Sequence, residues 1–65
     1  MELVVNGERR PLQAATVEQL LTVLGLPVER VVIEVNGDLV PRSARTAHPL
    51  HDGDRIEIVT LVGGG

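Results

Sequence analysis

The chain has 65 residues and a formal net charge of −3 at pH 7, and it contains neither cysteine nor any aromatic residue. This length predicts a single domain with one small core, which must hold by packing alone because no disulfide or thiolate metal site can form. The lack of aromatic rings and the negative charge argue against nucleic-acid binding, since bases stack on such rings and phosphates attract cations.

The N-terminal segment predicts a β-hairpin over residues 1–13. Apolar residues alternate in MELVV, and Asn6-Gly7 is the strongest short-range turn signal. A second strand follows from Arg9 to Gln13. Pro11 within it lacks a backbone donor, which favours an edge position in the sheet.

A helix is predicted to begin at Thr16 and to end at Gly25. The run TVEQ fits a capping box, in which Thr16 caps the third amide and Gln19 reaches back. Gly25 suits a left-handed C-terminal position, and Pro27 prevents the helix from resuming. One apolar stripe with helical spacing must pack on the sheet, and it consists of Val17, Leu20, Leu21 and Leu24.

The second half of the chain predicts strands joined by short turns. VVIEVNGDLVP forms strand, Asn36-Gly37 turn and strand, residues 42–49 form a loop with at most one helical turn, and Asp52-Gly53 marks another turn. The last strand runs from Arg55 to Val62. The sequence therefore predicts an α+β fold in which one helix packs on a mixed sheet of four to five strands.

The segment HPLHDGD offers the histidines and carboxylates of a possible metal site, namely His48, His51, Asp52 and Asp54. Asp and Gly are also the residues that a tight turn needs, and histidines three apart in a loop do not share one face. We therefore favour a turn over a metal site. The same argument weakens Asp52 and Asp54 as an acid–base pair.

The segment PRSAR places Arg42, Ser43 and Arg45 on a predicted surface loop. The arginines could bind a carboxylate of a partner through their forked guanidinium groups, or the loop could simply be solvated. Ser43 lacks the G-x-S-x-G surroundings of a nucleophilic serine, and His48 and His51 alone do not define a triad. A hydrolase is therefore the least supported of the functional hypotheses.

The final strand carries apolar residues on both faces. If Ile56, Ile58, Thr60 and Val62 face the helix, then Val59 and Leu61 lie on the opposite face of the sheet, together with Val32 and Val4. Such a patch on the open face of a small sheet would indicate a partner surface. We expect Val59 and Leu61, with Arg42 nearby, to bind partners.

Three glycines, Gly63 to Gly65, end the chain after the last predicted strand. No turn, helix end or phosphate loop requires them there. They fit either a disordered end or a slender tail that brings a carboxylate into a narrow active site. We expect a domain over residues 1–62 and a flexible tail over residues 63–65.

The order of these motifs resembles the thiamin-pathway sulfur carrier family (ThiS-like), whose members are small ubiquitin-like β-grasp proteins that end in Gly-Gly. The resemblance covers nearly the whole chain and is strongest in VNGDLVPR, in DGDRIEIV and in the terminal glycines. It departs from the family pattern in a third glycine, Gly63, before the matching pair.

The resemblance implies a cytoplasmic carrier rather than an enzyme, with no bound cofactor of its own. A partner adenylyltransferase of the ubiquitin-activating class would use ATP and Mg to adenylate the carboxylate of Gly65. A sulfur donor such as a cysteine desulfurase would then convert it to a thiocarboxylate, and thiazole synthase would accept the sulfur. Gly63 and Gly64 would thread into the partner active sites.

Two alternatives to this function remain open. The small subunit of molybdopterin synthase resembles the same fold and tail but is usually longer. A plain β-grasp interaction module would use its sheet face, and its tail would be irrelevant. No apolar run reaches membrane-spanning length, so a membrane is not an expected partner. The negative charge and the lack of aromatic rings likewise argue against a nucleic acid as partner.

Overall fold

One α-helix packs across one face of a five-stranded mixed β-sheet in the computed structural model, which describes residues 1–61. The strands are β1 (Glu2–Val5), β2 (Glu8–Pro11), β3 (Val31–Val35), β4 (Asp38–Leu39) and β5 (Arg55–Thr60), the helix is α1 (Val17–Leu24), and 3₁₀ turns span Val28–Arg30 and Arg42–Ala44. The predicted α+β class is confirmed. The predicted boundary between residues 62 and 63 lies outside the described residues.

The strand order is β2-β1-β5-β3-β4, so the last strand of the chain lies at the centre of the sheet. β5 runs parallel to β1 and antiparallel to β3, while both hairpins are antiparallel. β2 is an edge strand, in agreement with the prediction from Pro11, which lies opposite Glu2. The central position of β5 means that the chain leaves the sheet from its middle.

The helix α1 begins and ends at the residues that the sequence indicates. The Gln19 amide donates to Thr16 Oγ1 at 3.3 Å, and Gly25 has a φ of 72°. Gln19 Oε1 accepts from the Ala15 amide at 2.8 Å rather than from Thr16, one residue further back than a capping box requires. The cap therefore fixes both the first turn of α1 and the residue that leads into it.

The core between α1 and the sheet consists of aliphatic side chains. Leu20 and Leu21 of α1 are fully buried, and they pack with inward-facing residues of the three central strands. The burial alternates along β3, and along β5 as far as Ile58, as their sequences predict, whereas Thr60 at the end of β5 is exposed. The largest completely enclosed side chains are Leu3, Val17, Leu20, Leu21, Ile33, Val40 and Ile56.

The connection between β4 and β5 crosses the N-terminus of α1. The Val17 amide donates to the carbonyl of His48 and the Glu18 amide to the carbonyl of Arg45, both at 3.0 Å. These carbonyls satisfy two of the amides that every helix leaves unpaired at its start. The connection thus holds α1 in place as well as linking two strands.

Candidate functional site

The candidate site is the end of β5 from which the chain leaves the sheet. The Leu61 amide donates to the carbonyl of Arg30 at 2.7 Å, which ties the chain to the residue before β3. Leu61 is the last residue that the structure describes. The predicted reactive residue Gly65 and the predicted threading residues Gly63 and Gly64 lie outside the described part, and their roles stay predictions.

An apolar patch lies on the outer face of the sheet beside this exit. Val59 is 60% exposed and lies directly opposite Val32, and Leu61 continues the same face. Leu39 lies on the same face of the sheet. It pairs with Glu34 of β3, which in turn pairs with Glu57 of β5, and Glu57 shares its face with Val59 two residues later. We call these four residues, Val32, Leu39, Val59 and Leu61, the outer-face patch. Sequence reasoning missed Leu39, since the short strand β4 has no clear alternation.

Val4 lies on the outer face of the sheet, as predicted, but it does not adjoin the outer-face patch. In the parallel pair of β1 and β5, Val4 lies opposite Arg55 rather than near Val59. Four residues of strand separate Arg55 from Val59, a distance of about 13 Å. The register of a parallel pair depends on the whole crossover connection, which the sequence pattern of each strand does not reveal.

Arg42 is exposed and lies close to the same exit. Its Nη2 donates to the carbonyl of Glu29 at 3.2 Å, and Glu29 precedes the residue that binds the Leu61 amide. The guanidinium keeps further donors for a partner, since it has five N–H groups. Ser43 beside it is exposed, and its hydroxyl forms no hydrogen bond within residues 1–61.

Arg45 has a structural role that contradicts its predicted place on a surface loop. The residue is only 6% exposed, and its guanidinium donates to the carbonyls of Val28 and Val40. These bonds join the 3₁₀ turn before β3 to the connection after β4. Within PRSAR the partner-binding alternative therefore rests on Arg42.

The Asp residues of HPLHDGD stabilise the turn that leads into β5 and tie it to β1. Asp54 Oδ2 accepts from the His51 amide at 2.8 Å, and Asp52 Oδ1 accepts from the Glu2 amide at 2.6 Å. His48 contributes its carbonyl to α1. Within residues 1–61, no group of three or more acidic or histidine side chains is placed to hold a metal ion.

Comparison with models of protein families identifies the family of this chain. The model of the ThiS family matches residues 3–65. The chain belongs to the ThiS family. The resemblance drawn from the motifs is thereby confirmed, and the ThiS match favours the thiamin pathway over a molybdopterin synthase subunit.

Relatives of this ThiS-family chain agree with the match. The sulfur carrier protein ThiS of Thermus thermophilus is 34% identical over 94% of this chain and 95% of its own length. A thiazole synthase of Paramagnetospirillum magneticum is 46% identical over 66 residues, which cover all of this chain. This chain spans only 20% of the length of that thiazole synthase.

A solved structure supports the β-grasp arrangement. The crystal structure of the thiamine biosynthesis protein ThiS from Geobacter metallireducens superposes with a TM-score of 0.83 at 36% identity, and the match covers both chains completely. In the part of the chain that the structure describes, no helix is long and apolar enough to cross a membrane.

Proposed function

We propose that this chain carries sulfur for thiazole formation in thiamin biosynthesis, as a thiocarboxylate on Gly65. The main support is the family match, which extends over residues 3–65 and so includes the terminal glycines. The similarity to a curated sulfur carrier over almost the full length of both chains adds to it. In this function the chain is a protein co-substrate rather than a catalyst.

The chemistry needs the terminal carboxylate and a means of activating it. A carboxylate is a poor acyl group, because its oxygen is a poor leaving group. Attack of a Gly65 oxygen on the α-phosphorus of ATP releases pyrophosphate and forms an acyl-adenylate. A sulfur nucleophile then attacks the carbonyl carbon and expels AMP, which carries away the former carboxylate oxygen. Where that nucleophile is the terminal sulfur of a desulfurase persulfide, the product is an acyl disulfide. A thiol then attacks the donor's sulfur, which releases the thiocarboxylate and leaves a disulfide between the thiol and the donor. A partner adenylyltransferase would bind the ATP and Mg for the adenylation step, in the cytoplasm where ATP is available.

Thiazole synthase is the proposed acceptor of the sulfur. A segment similar to this whole chain makes up a fifth of a protein that is itself called a thiazole synthase. Joining two modules in one chain raises their effective concentration for each other, which benefits modules that react together. We propose that this chain meets a separate thiazole synthase in the same way, with a cysteine desulfurase as sulfur donor.

The proposed partner surface is the outer-face patch together with Arg42. Val59 and Leu61 are exposed apolar side chains within a few residues of the tail, and Arg42 offers charged donors beside them. Interfaces typically combine an apolar centre with a polar rim, and arginine is enriched in them. A partner that covers this patch would hold the carrier with its tail directed into the active site.

Intact mass measurement tests the proposed function. The chain ending at Gly65 is incubated with a thiamin-pathway adenylyltransferase, ATP, Mg and a sulfur source. We expect a mass increase equal to one oxygen replaced by one sulfur, and fragmentation should locate the change at Gly65.

A variant that ends at Gly64 is the matched control for this experiment. It keeps residues 1–61 and a terminal glycine, but its carboxylate ends one residue earlier in the chain than that of Gly65. We expect the mass increase to be lost while the circular dichroism spectrum stays unchanged. An unmodified full chain with every candidate activator would contradict the carrier function and favour a plain interaction module.

A further inference from the structure

The C-terminal end of β5 has an open backbone edge. The Leu61 amide donates to Arg30 and the Asn36 amide donates to Arg55, so the odd-numbered residues of β5 exchange hydrogen bonds with β3. The N–H and C=O groups of the even-numbered residues must then point to the other edge, towards β1. Thr60 is the last of these even-numbered residues.

The hairpin of β1 and β2 pairs with this edge only as far as Ile58. The Asn6 amide donates to the carbonyl of Ile56 at 2.8 Å, and the side chain of Asn6 satisfies both backbone groups of Ile58. The chain then turns away at Asn6-Gly7 into β2. Within residues 1–61, no hydrogen bond is formed by the N–H or the C=O of Thr60 on this side.

A groove of about 290 Å³ adjoins the open edge. Its walls come from the hairpin, from the C-terminal end of α1 with Leu24 and Leu26, and from Ile58 and Thr60 of β5. Arg10 on β2 is the one charged residue of this lining. Neither of the ion pairs within residues 1–61 includes Arg10. The groove thus combines apolar walls, one cation and a strand edge.

We propose that this edge receives an extended segment of thiazole synthase, which pairs with Thr60, places an apolar side chain in the groove and offers a carboxylate to Arg10. An exposed strand edge binds an extended peptide by backbone hydrogen bonds, and neighbouring pockets select its side chains. The guanidinium of Arg10 selects a carboxylate through charge-assisted hydrogen bonds. The inference rests on the proposed function, which supplies the partner.

This contact would act on the tail differently from the outer-face patch. The patch lies on one face of β5, whereas the groove lies at the edge of β5 and on the face of α1. A strand added at Thr60 would prolong the sheet to within five residues of Gly65. The two contacts together would bind β5 at one face and at one edge, just before the tail begins.

Amide hydrogen exchange of the ¹⁵N-labelled chain tests the strand pairing. In the free chain Thr60 should exchange rapidly, while Leu61, which donates to Arg30, should be protected. Saturation with thiazole synthase should slow the exchange of Thr60 by about tenfold or more, because the amide gains a backbone acceptor. Unchanged exchange of Thr60 in a formed complex would overturn the inference.

The charge of the groove is tested by Arg10→Glu with Arg9→Glu as matched control. The two variants change net charge equally, but Arg9 pairs with Val4 on the opposite face and lies 3.8 Å from a Glu2 carboxylate oxygen. Calorimetric titration with thiazole synthase should show about tenfold weaker binding or more for Arg10→Glu and little change for Arg9→Glu. Equal losses would overturn the role of Arg10.

The failure of this inference is distinguishable from a failure of the proposed function. Protection of Thr60 that appears with rising concentration of the chain alone would mean that a second copy occupies the edge, and it would overturn the assignment to thiazole synthase. A mass increase at Gly65 in the activation experiment would leave the carrier function intact in that case. No binding of the unaltered chain to thiazole synthase would contradict both.

Discussion

At the scale of single residues, the two asparagines of the hairpin turns do more than form turns. Asn6 and Asn36 have φ values of 50° and 53°, the left-handed conformation that Asn-Gly turns require. Their side chains also bind the central strand. Asn6 holds Ile58 through two hydrogen bonds, and Asn36 Oδ1 accepts from the Arg55 amide at 2.9 Å. Two local turn signals therefore position the strand that carries the tail.

The substitution Asn6→Gly tests this role, because glycine keeps the positive φ and loses the amide. We expect the free energy of unfolding to fall by about 1–2 kcal/mol, since two backbone groups of Ile58 lose their partner. Urea denaturation measures the loss. In hydrogen exchange, Asn6→Gly should expose the Ile58 amide and Asn36→Gly the Arg55 amide. The same pattern of exposed amides in both variants would argue against a local role.

At the scale of elements, the connection between β4 and β5 is an integral part of the fold. Its carbonyls satisfy the first amides of α1, and Thr16 and Pro49 form an isolated β-bridge. The buried guanidinium of Arg45 joins it to Val28, the first residue of the 3₁₀ turn before β3. The polar and small residues of this segment correctly predict that it is a loop. They do not reveal that the loop contacts α1 and the 3₁₀ turn before β3, because these segments are distant in the chain.

The pair Arg45→Met and Arg42→Met measures what this connection contributes. Methionine keeps much of the apolar length of Arg45 but leaves the carbonyls of Val28 and Val40 without donors, so we expect a loss of about 2–4 kcal/mol. Arg42 is exposed and makes one such bond, and its loss should cost less than about 1 kcal/mol. Urea midpoints compare the two, and equal losses would contradict the anchoring role of Arg45.

At the scale of the whole molecule, the sequence predicts the elements better than their arrangement. The caps of α1 and the Asn-Gly turns are local, so Thr16, Gly25 and Asn36 mark the boundaries directly. The order of the strands, the register of Val4 and the burial of Arg45 depend on contacts between distant segments. No periodic pattern in a short strand contains that information.

The sequence likewise predicts some residues of the candidate site and not others. The exposed face of β5 follows from strict alternation, which correctly places Val59 and Leu61 on the outer face. Leu39 and the open edge at Thr60 require the pairing of three strands, and neither is visible in the sequence of one. The roles of Gly63 to Gly65 come from the family resemblance and from no contact within residues 1–61.

The outer-face patch exists only in the assembled sheet, and Val59→Arg with Val23→Arg as control tests its proposed role in partner binding. Both valines are exposed, by 60% and 52%, but Val23 lies on α1, away from the outer face of the sheet. A buried, unpaired charge in an apolar contact is costly, so Val59→Arg should weaken binding to thiazole synthase or the adenylyltransferase by about tenfold or more. Val23→Arg should bind as the unaltered chain does.

Titration calorimetry measures both affinities, and thermal unfolding verifies that both variants fold. The rate of thiocarboxylate formation provides a second measurement. At limiting carrier concentration this rate should fall for Val59→Arg, and at saturating carrier concentration it should recover. Recovery is expected because the substitution alters docking and leaves Gly65 itself unchanged. Equal affinities of the two arginine variants would remove the outer-face patch from the partner surface, and the open edge at Thr60 would then be the remaining contact beside the tail.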